Sequence, residues 1–462
     1  MRGFPSDDPF LGGLYAPWPM EGDVHDCEVE GEIPEALHGT FYRNGPNPQF
    51  PPRSAYHWFD GDAMVHAFSF EAGRCRYRNR WIRTEKWRAE RAAGESLFGG
   101  LSDMTNNDPR AEGVSFNAAN THLWPHAGRF LALFEGGPPT EIDAETLATV
   151  GVHDFDGKLV GAMTAHPHTD PTNGEMVFFG YAPVPPFLRH HVAAADGTLA
   201  RSEIIDVPFP SMMHDAVVTR EHVVFLCCPA TFRPENLASR TPIRWEPELG
   251  TRLGVMPRGG TSDDVRWFET DPCYVFHVMN GFDDGPRVVA DVCRFDRLPI
   301  FEREGQALDD AKPPRLARWT FDLEAGTLRE EGLDDRSCEF PRIDDRFAGQ
   351  PYRFGLAAGY AEGDRSEGLF DRVVRYDHAR ATRSEWRFPG PVSEPVFVPR
   401  DDAAAEGEGF VVALYVRDDT ARAEVAVLDA EHLAGGPLAT VKLPHRIPHG
   451  FHANFLRGVT LR

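Results

Sequence analysis

The chain has 462 residues, with 71 acidic and 48 basic side chains and a formal net charge of −23. This acidic balance argues against nucleic-acid binding, which needs a basic surface, and against general attraction to anionic lipid. Seven cysteines without a Cys-x-x-Cys pair exclude a disulfide scaffold and a structural zinc motif of that kind.

The first hundred residues predict a lead-in, a hairpin and a helix. Residues 1–30 show no periodic pattern and are expected to be extended, without a signal peptide. From residue 64 to residue 70, one face (Met64, His66, Phe68 and Phe70) alternates with another (Val65, Ala67 and Ser69). With residues 75–82 this stretch predicts a β-hairpin closed at residues 71–74. Residues 84–98 combine good helix formers with charge pairs and predict a helix. No apolar run is long enough to span a membrane, and the odd cysteine count fits reduced thiols, so we expect a cytoplasmic protein.

Short strands and turns repeat from residue 116 to the C-terminus. Many short antiparallel strands with almost no helix indicate an all-β sandwich, barrel or propeller. A seven-bladed β-propeller needs about 300 residues at roughly 43 per blade, which leaves loops for a loop and short-helix cap over one face. No linker is visible, so we expect a single domain over residues 1–462. The predicted strands are 129–134, 149–153, 176–181, 222–227, 273–279, 287–293, 318–323, 352–356, 373–376, 384–388, 396–398, 409–416 and 424–428.

Four histidines stand in short apolar settings far apart in the sequence. Neutral imidazole is a common metal ligand, and a set of imidazoles suits Zn, Cu, Fe or Ni. In a propeller the innermost strand of each blade lines a central channel, so residues at one height on four inner strands point at the axis. We therefore predict that four histidines converge on one metal ion. They are His166, His214, His277 and His452, the last in an apolar C-terminal tail that we expect to be buried.

Three carboxylates that have apolar neighbours in the sequence could accept hydrogen bonds from the second ring nitrogen of such ligands. These are Glu135, Glu339 and Glu394. The alternative for any single buried histidine is an ordinary hydrogen-bonded core residue. Three histidines close to the candidates in sequence, His168, His445 and His449, are not expected to be ligands. Six others share no spacing that suggests a site and are assigned to surface, packing or capping roles: His57, His66, His122, His126, His190 and His191.

Eight phrases of the sequence, in order and over nearly its whole length, resemble the carotenoid cleavage oxygenase family. No single phrase is specific, but their order is. The phrases are Gly39-Thr-Phe-Tyr-Arg-Asn-Gly-Pro-Asn-Pro, His57-Trp-Phe-Asp-Gly-Asp-Ala-Met-Val-His, Thr164-Ala-His-Pro, Met213-His-Asp, Phe276-His-Val-Met-Asn, Glu339-Phe-Pro-Arg-Ile-Asp, Ser393-Glu-Pro-Val-Phe-Val-Pro and Gly450-Phe-His.

The resemblance implies a seven-bladed propeller with one non-haem Fe(II) per chain on its axis. It implies cleavage of a conjugated double bond by O2 into two carbonyl products. Carried over by position, the iron ligands are the four histidines predicted above, and the supporting carboxylates are Glu135, Glu339 and Glu394. The resemblance also implies an apolar tunnel, for which we predict as lining residues Leu101, Phe116, Phe134, Phe282 and Phe451.

The substrate class depends on two positions of that tunnel. Relatives that cleave stilbenes and phenylpropenoids carry a Tyr and a Lys that bind the phenol of the substrate. Judged by the neighbouring sequence, Leu101 and Phe134 occupy those places here. An apolar pair cannot hydrogen-bond a phenolate, and burying that charge unpaired is costly. We therefore expect a carotenoid or apocarotenoid-type polyene. The alternative is a stilbene or phenylpropenoid that binds in another way.

Two other functions are compatible with the same motifs. One is a protein-binding propeller whose histidines only pack, and bound iron would exclude it. The other is an isomerohydrolase with the same metal set. An alkene substrate partitions into lipid, so peripheral membrane contact is an open alternative. The best patch for it is the segment Ala182-Pro-Val-Pro-Pro-Phe-Leu. The oligomeric state stays unknown.

Overall fold

The computed structural model describes residues 3–5, 7–233, 242–300, 312–360 and 369–462. Strands make up most of its regular structure. The strands are β1 (Gly22–Val24), β2 (Glu28–Gly31), β3 (Gly39–Arg43), β4 (Met64–Glu71), β5 (Arg74–Trp81), β6 (His122–His126), β7 (Arg129–Leu133), β8 (Thr140–Ile142), β9 (Thr149–Val152), β10 (His168–Thr169), β11 (Met176–Tyr181), β12 (Leu188–Ala193), β13 (Leu199–Ile205), β14 (Ala216–Val218), β15 (His222–Cys227), β16 (Ala230–Phe232), β17 (Ile243–Trp245), β18 (Thr251–Pro257), β19 (Arg266–Thr270), β20 (Tyr274–Asp284), β21 (Arg287–Phe295), β22 (Arg315–Asp322), β23 (Thr327–Ile343), β24 (Phe354–Tyr360), β25 (Phe370–Asp377), β26 (Thr382–Arg387), β27 (Val396–Pro399), β28 (Gly409–Val416), β29 (Ala423–Asp429), β30 (Pro437–Lys442) and β31 (Ala453–Arg457).

In the described part of the chain these strands form the seven antiparallel blades of a β-propeller. Blade 1 has the order β1-β5-β4-β3-β31, blade 2 comprises β6 to β9, blade 3 β10 to β13, and blade 4 β14-β15-β18-β19. Blades 5 and 6 share the long strand β23, whose first part pairs with β22 and whose last part pairs with β24. Blade 7 consists of β27 to β30 with β2 on its outer edge, and β16 and β17 form a separate hairpin. The predicted seven-bladed, all-β fold is confirmed.

The two ends of the chain close the ring of blades. The N-terminal segment gives β1 to blade 1 and β2 to blade 7. The C-terminal strand β31 pairs with β3, so it becomes the innermost strand of blade 1. The inner strand β31 contacts β6 of blade 2 and β27 of blade 7. The predicted burial of the tail is confirmed, since Ile447 and Phe451 are buried.

The hydrophobic core is divided among the spaces between blades. Strand β28 illustrates the reason: Val411 and Ala413 face blade 6, whereas Phe410, Val412 and Leu414 face blade 1. Successive side chains of a strand point to opposite faces, so a strand between two blades must be apolar on both. The same cause buries β4 of the predicted hairpin on both faces, although its sequence alternates.

In the described part of the chain, helical structure lies in the N-terminal segment and in the loops that connect strands. We call two of these loops, the β3–β4 connection (residues 44–63) and the β5–β6 connection (residues 82–121), the cap. The helix α1 (Glu85–Ala93) begins at Thr84, whose side chain accepts a hydrogen bond from the backbone N–H of Trp87. It ends at Gly94, which adopts φ 75° and terminates the helix before the predicted end at residue 98. Among the described residues, no helix has the length and apolar character needed to cross a membrane. The 3-10 helices are Gly13–Tyr15, Trp58–Asp60, Leu101–Asp103, Pro109–Ala111, Pro247–Leu249, Ser262–Asp264, Asp345–Phe347 and Leu433–Gly435.

Candidate metal centre

The four predicted histidines lie on the inner strands of four different blades, or directly before them. His166 and His214 each stand two residues before an inner strand, β10 and β14. His277 lies within β20, and His452 immediately precedes β31. All four are between 3% and 8% exposed. The propeller therefore brings together residues from blades 1, 3, 4 and 5.

The Nε2 atoms of these histidines point at one another. They are 3.0 Å apart for His166 and His214, 3.3 Å for His214 and His277, and 3.2 Å for His277 and His452. One ligand atom from each of the four lies within 4.8 Å of all the others. Ligands at about 2.1 Å from one metal ion are about 3 Å apart when they subtend a right angle, so this spacing fits a single ion.

The other ring nitrogen, Nδ1, faces a carboxylate in three of the four histidines. Glu339 Oε2 lies 2.5 Å from His277 Nδ1, and Glu394 Oε1 lies 3.2 Å from His452 Nδ1. Glu135 contacts His214 Nδ1. Each of the three predicted carboxylates thus meets a predicted histidine. A carboxylate accepts the Nδ1 proton, which leaves a lone pair on Nε2.

Each carboxylate is held in turn by a second donor. The backbone N–H of Phe340 donates to Glu339, and that of Ala453 donates to Glu394 at 2.6 Å. The hydroxyl of Tyr181 donates to Glu135 Oε2 at 2.5 Å. Tyr181 was not predicted from the sequence. It is the last residue of the apolar strand β11, and no motif in the sequence relates it to Glu135. Arg342, 3.4 Å from Glu394, was also missed, although it lies in the phrase Glu339-Phe-Pro-Arg.

Burial keeps most of these imidazoles neutral. It is the main cause that lowers the pKa of His166 and His452, and neighbouring imidazoles add to the effect. The pKa of His277 falls to about 3 for the same reasons. Burial also opposes the charged form of His214, but Glu135 and then Asp215 outweigh it and raise that pKa. Burial raises the pKa of Glu339 to about 8.

The donor set fits a metal ion by its own chemistry. Neutral imidazoles whose Nδ1 protons face carboxylates present Nε2 lone pairs to the cluster, and lone pairs about 3 Å apart repel one another. A cation between them removes this repulsion, and neighbouring carboxylates balance its charge. Imidazole nitrogen is a suitable ligand for iron. The four histidines therefore form a site that a single Fe(II) can fill.

Four of the five predicted tunnel residues lie in or beside the loops of the cap, and three of them belong to clusters of aromatic rings. The rings of Phe116 and Phe134 are 6.1 Å apart. The ring of Phe451 lies 4.5 Å from Trp58 and 5.4 Å from Phe59. The backbone N–H of Leu101 donates to the carboxylate of Asp60, which follows Phe59.

Phe282 lies apart from these residues. It is near the far end of β20, where its ring packs 6.4 Å from Tyr352 and 5.8 Å from the guanidinium of Arg318. Phe282 is only five residues after His277 in the sequence. A strand advances about 3.3 Å per residue, however, so five residues along β20 place Phe282 well away from the cluster.

The three nearby histidines that were predicted not to be ligands have other partners. His168 Nε2 lies 3.0 Å from Asp215 Oδ1, and the rings of His445 and His449 stack on Trp18 and Trp58. His122, which the sequence assigned to a surface, packing or capping role, is buried and packs directly against the cluster. Its ring is only 4.9 Å from that of His452, beside the cluster. Its position at the start of the inner strand β6 is the signal that could have found it.

A cavity of about 380 Å³, lined by both apolar and polar side chains, adjoins the cluster. Its wall includes three of the four histidines, His166, His277 and His452. It also includes polar residues of several inner strands and none of the five predicted tunnel residues. We call it the axial cavity. Its remaining polar lining residues include His122, His168, Thr169, Asn280, Arg342, Asp345, Arg346 and Asn454.

Comparison with known proteins agrees with this geometry. The family model described as RPE65, retinal pigment epithelial membrane protein, matches residues 15–457. An isoeugenol monooxygenase of Pseudomonas putida is 37% identical over 98% of both chains. A carotenoid cleavage oxygenase of Mycobacterium tuberculosis is 35% identical over 97% of this chain and 98% of that one. The crystal structure of a Pseudomonas brassicacearum lignostilbene dioxygenase superposes with a TM-score of 0.93, with 32% identity, over 99% of this chain and 100% of that one.

Proposed function

Because this chain belongs to the RPE65 and carotenoid cleavage oxygenase family of non-haem iron enzymes, we propose that it cleaves a conjugated C=C bond of a carotenoid or apocarotenoid-type polyene. The co-substrate is O2 and the products are two carbonyl compounds. The observation that carries the oxygenase chemistry is the convergence of His166, His214, His277 and His452 with their carboxylate partners. These residues are proposed as the iron ligands and Glu135, Glu339 and Glu394 as their supports.

Iron bound at this site would activate O2 for attack on the alkene. The residues of the chain have other tasks. The carboxylates hold each Nδ1 proton and fix the ring orientation, so the cluster is preorganised before metal binds. The apolar cap residues Leu101, Phe116, Phe134 and Phe451 would exclude water and place one double bond beside the cluster. No side chain has to act as a general acid in this scheme.

The choice of a polyene rests on Leu101 and Phe134. Neither side chain can donate a hydrogen bond, so a phenolate at this place would lose its solvation without compensation. A hydrocarbon polyene has no such requirement and gains from burial of its apolar surface.

A stilbene or phenylpropenoid is the second candidate. It is favoured by the 37% identity to an isoeugenol monooxygenase and by the high similarity to the structure of a lignostilbene dioxygenase. Such a substrate would have to place its phenol on groups other than Leu101 and Phe134.

One experiment tests both levels of the proposal. The protein is purified aerobically, iron per chain is measured, and an apocarotenal and a hydroxystilbene are incubated in parallel while the loss of each chromophore is followed. We expect near-stoichiometric iron and bleaching of the polyene alone. Cleavage of the stilbene alone would keep the ligands and overturn the substrate assignment. No iron, with no activity after addition of Fe(II), would overturn the metal site itself.

A further inference from the structure

The inner strand of blade 1 arrives at the metal centre with one free edge. Strand β31 begins directly after His452, and it is the last strand of its sheet, so it has a hydrogen-bonded neighbour on one side only. Its first residue, Ala453, is buried. Backbone N–H and C=O groups that are buried at a strand edge need partners from elsewhere in the chain. The partners of Ala453 therefore help to decide where His452 lies.

Two charged side chains from blades 6 and 7 supply these partners. The N–H of Ala453 donates to Glu394 Oε2 at 2.6 Å, and its carbonyl accepts from Arg342 Nη1 at 2.8 Å. The same Nη1 lies 3.4 Å from the same Oε2. Glu394 stands just before β27 of blade 7, and Arg342 lies in the last part of β23, which pairs within blade 6. The three residues thus form a closed ring of polar contacts across three blades.

Glu394 connects this ring of contacts to the metal centre. Its other oxygen, Oε1, lies 3.2 Å from His452 Nδ1. Glu394 and Arg342 are both buried, and a buried carboxylate is costly unless a cation and hydrogen bonds compensate its charge. Within the described ranges, Glu394 is the supporting carboxylate that pairs with a guanidinium. A tyrosine hydroxyl and a backbone N–H hold the other two, Glu135 and Glu339.

We propose that Arg342 is a positioning residue of the metal centre, which acts on His452 through Glu394. Its guanidinium holds the carboxylate that orients the His452 ring, and it also holds the carbonyl of the residue that follows His452. On its other side, Nη2 lies 3.4 Å from Asp345 Oδ2, so the guanidinium is fixed at both ends. Blades 6 and 7, which supply none of the four histidines, thereby help to place one of them.

This inference rests on the proposed role of His452 as an iron ligand. It adds that the four ligands are not supported alike. The placing of His452 depends on an ion pair between two other blades, whereas the carboxylates behind His214 and His277 are held by neutral donors. Loss of Arg342 should therefore be felt at His452 and not at the other two.

The first test is a double-mutant cycle on the iron affinity of the full chain, measured by competition with a chelator. Arg342→Met keeps much of the length of the side chain and removes its cation, and Glu394→Gln removes the carboxylate. We expect each to weaken iron binding by about 10–100-fold, as is usual when a support of a metal ligand is lost. In the double variant most of the effect of Arg342→Met should disappear, because the guanidinium no longer has a carboxylate to hold.

The same substitution in a second background shows whether the coupling is specific. Glu339 supports His277 and has no listed role in holding Ala453, so Arg342→Met should add its full effect to that of Glu339→Gln. Should Arg342→Met not fold, Arg342→Lys takes its place in both cycles. Lysine keeps a counter-charge for Glu394 but lacks the planar fork, so we expect a smaller loss with the same dependence on Glu394.

The matched control is Arg346→Met. Arg346 lines the axial cavity as Arg342 does, but its guanidinium binds the carboxylate of Asp344, with contacts of 2.9 Å and 2.6 Å. This variant should bind iron as the wild type does. Normal iron binding in the Arg342 variant, full additivity with Glu394→Gln, or an equal loss in Arg346→Met would each overturn the inference alone. If the wild type binds no iron, the proposed function fails and this inference fails with it.

The second test locates the effect. In the Co(II)-substituted protein, the ring N–H protons of the ligands give paramagnetically shifted proton resonances. The substitutions at Arg342 and Glu394 should move the same resonance, that of His452, and should leave those of His214 and His277 in place. A general loosening of the centre would move all of them. If the Arg342 variant moves all resonances alike, moves none, or moves a different one from Glu394→Gln, Arg342 does not act through Glu394.

Discussion

The carboxylates behind the histidines are the residues on which metal retention should depend most. Glu339 is buried and contacts His277 Nδ1 at 2.5 Å. Glu339→Gln keeps the shape of the side chain but replaces its carboxyl group by an amide. We expect iron retention to fall by about 10–100-fold, because the amide oxygen is a weaker acceptor for His277 Nδ1 than a carboxylate. Iron per chain after dialysis against a chelator measures the effect.

Glu424→Gln is the control for that substitution. Glu424 is as buried as Glu339, but it accepts a hydrogen bond from Tyr415 in blade 7 and has no contact with the cluster. Iron retention should be unchanged in this variant. If Glu339→Gln also retained iron and turned over at the normal rate, Glu339 would not be a support of the site.

Tyr181 should act on the metal through Glu135. Its hydroxyl is the donor that holds this carboxylate, which is the most exposed of the three. Tyr181→Phe keeps the ring in its place, so we expect weaker iron binding and a lower kcat with an unchanged KM for the alkene. Tyr274→Phe is the matched control, since its hydroxyl donates to the backbone of Met212 at 3.3 Å. If the two variants bound iron and turned over equally well, Tyr181 would only pack against its neighbours and would not act on the metal.

The substrate assignment depends on Leu101 and Phe134, and a double substitution tests it. Leu101→Tyr with Phe134→Lys supplies a hydroxyl and an ammonium group that can bind a phenolate. We expect turnover of a hydroxystilbene to rise, while turnover of its methyl ether, which cannot ionise, should not. No gain in a folded, iron-loaded variant would show that these positions do not contact the phenol.

At the residue scale, the histidines and carboxylates could be predicted because their sequence neighbours are apolar. An ionisable group among apolar residues is expected to be buried, and burial is costly unless the group has a partner. The partners of these groups were harder to predict. Tyr181 and His122 reach the site only because blades 2 and 3 lie side by side there, and no local pattern records that contact. Phe282 was predicted as one of the aromatic tunnel residues, and its place near the far end of β20, apart from the other four, follows only from the assembled strand.

One buried cation connects the helix α1 to the loop that precedes β4. The Lys86 ammonium lies 2.9 Å from Asp62 and 2.8 Å from Glu90, and all three side chains are buried. Lys86→Met leaves two carboxylates without their counter-charge. We expect the free energy of unfolding to fall by about 3–5 kcal/mol, measured by urea denaturation.

Lys442→Met provides the comparison for Lys86. Lys442 pairs with Glu30 at 2.9 Å on the outer edge of blade 7, where solvent screens the charges. Its loss should have a much smaller effect on the midpoint of unfolding. If the two substitutions were equally harmless, the Lys86 cluster would not stabilise the cap.

Strands with continuous apolar sequence were predicted well, and polar ones were not. Strands β11 and β28 coincide with the predictions at 176–181 and 409–416. The longest strand, β23, was missed because its first part is rich in charged residues and half exposed. It is a strand because β22 and β24 pair with it on either side, which is a property of the assembled sheet. The helix was predicted too long because its charge pattern continues past Gly94.

At the scale of the whole molecule, closure of the ring should make the propeller a single unit of unfolding. Strands β2 and β31 connect the first and last blades, and the candidate iron ligands come from four blades. The assignment of residues 1–462 to one domain stays a prediction, which this closure makes testable. The nine tryptophans report on most of the blades, so their fluorescence follows the fold as a whole.

We expect tryptophan fluorescence and iron release to change in one coincident thermal transition, which moves to lower temperature when iron is removed. Binding to the folded state alone adds about 2.7 kcal/mol when free iron is at 100 times its dissociation constant. For a chain of this size that corresponds to a shift of a few degrees at most. Two separate fluorescence transitions would show that the blades do not unfold together. Release of iron well below the fluorescence transition would show that the cluster opens locally, so that the ring does not hold the ligands in place.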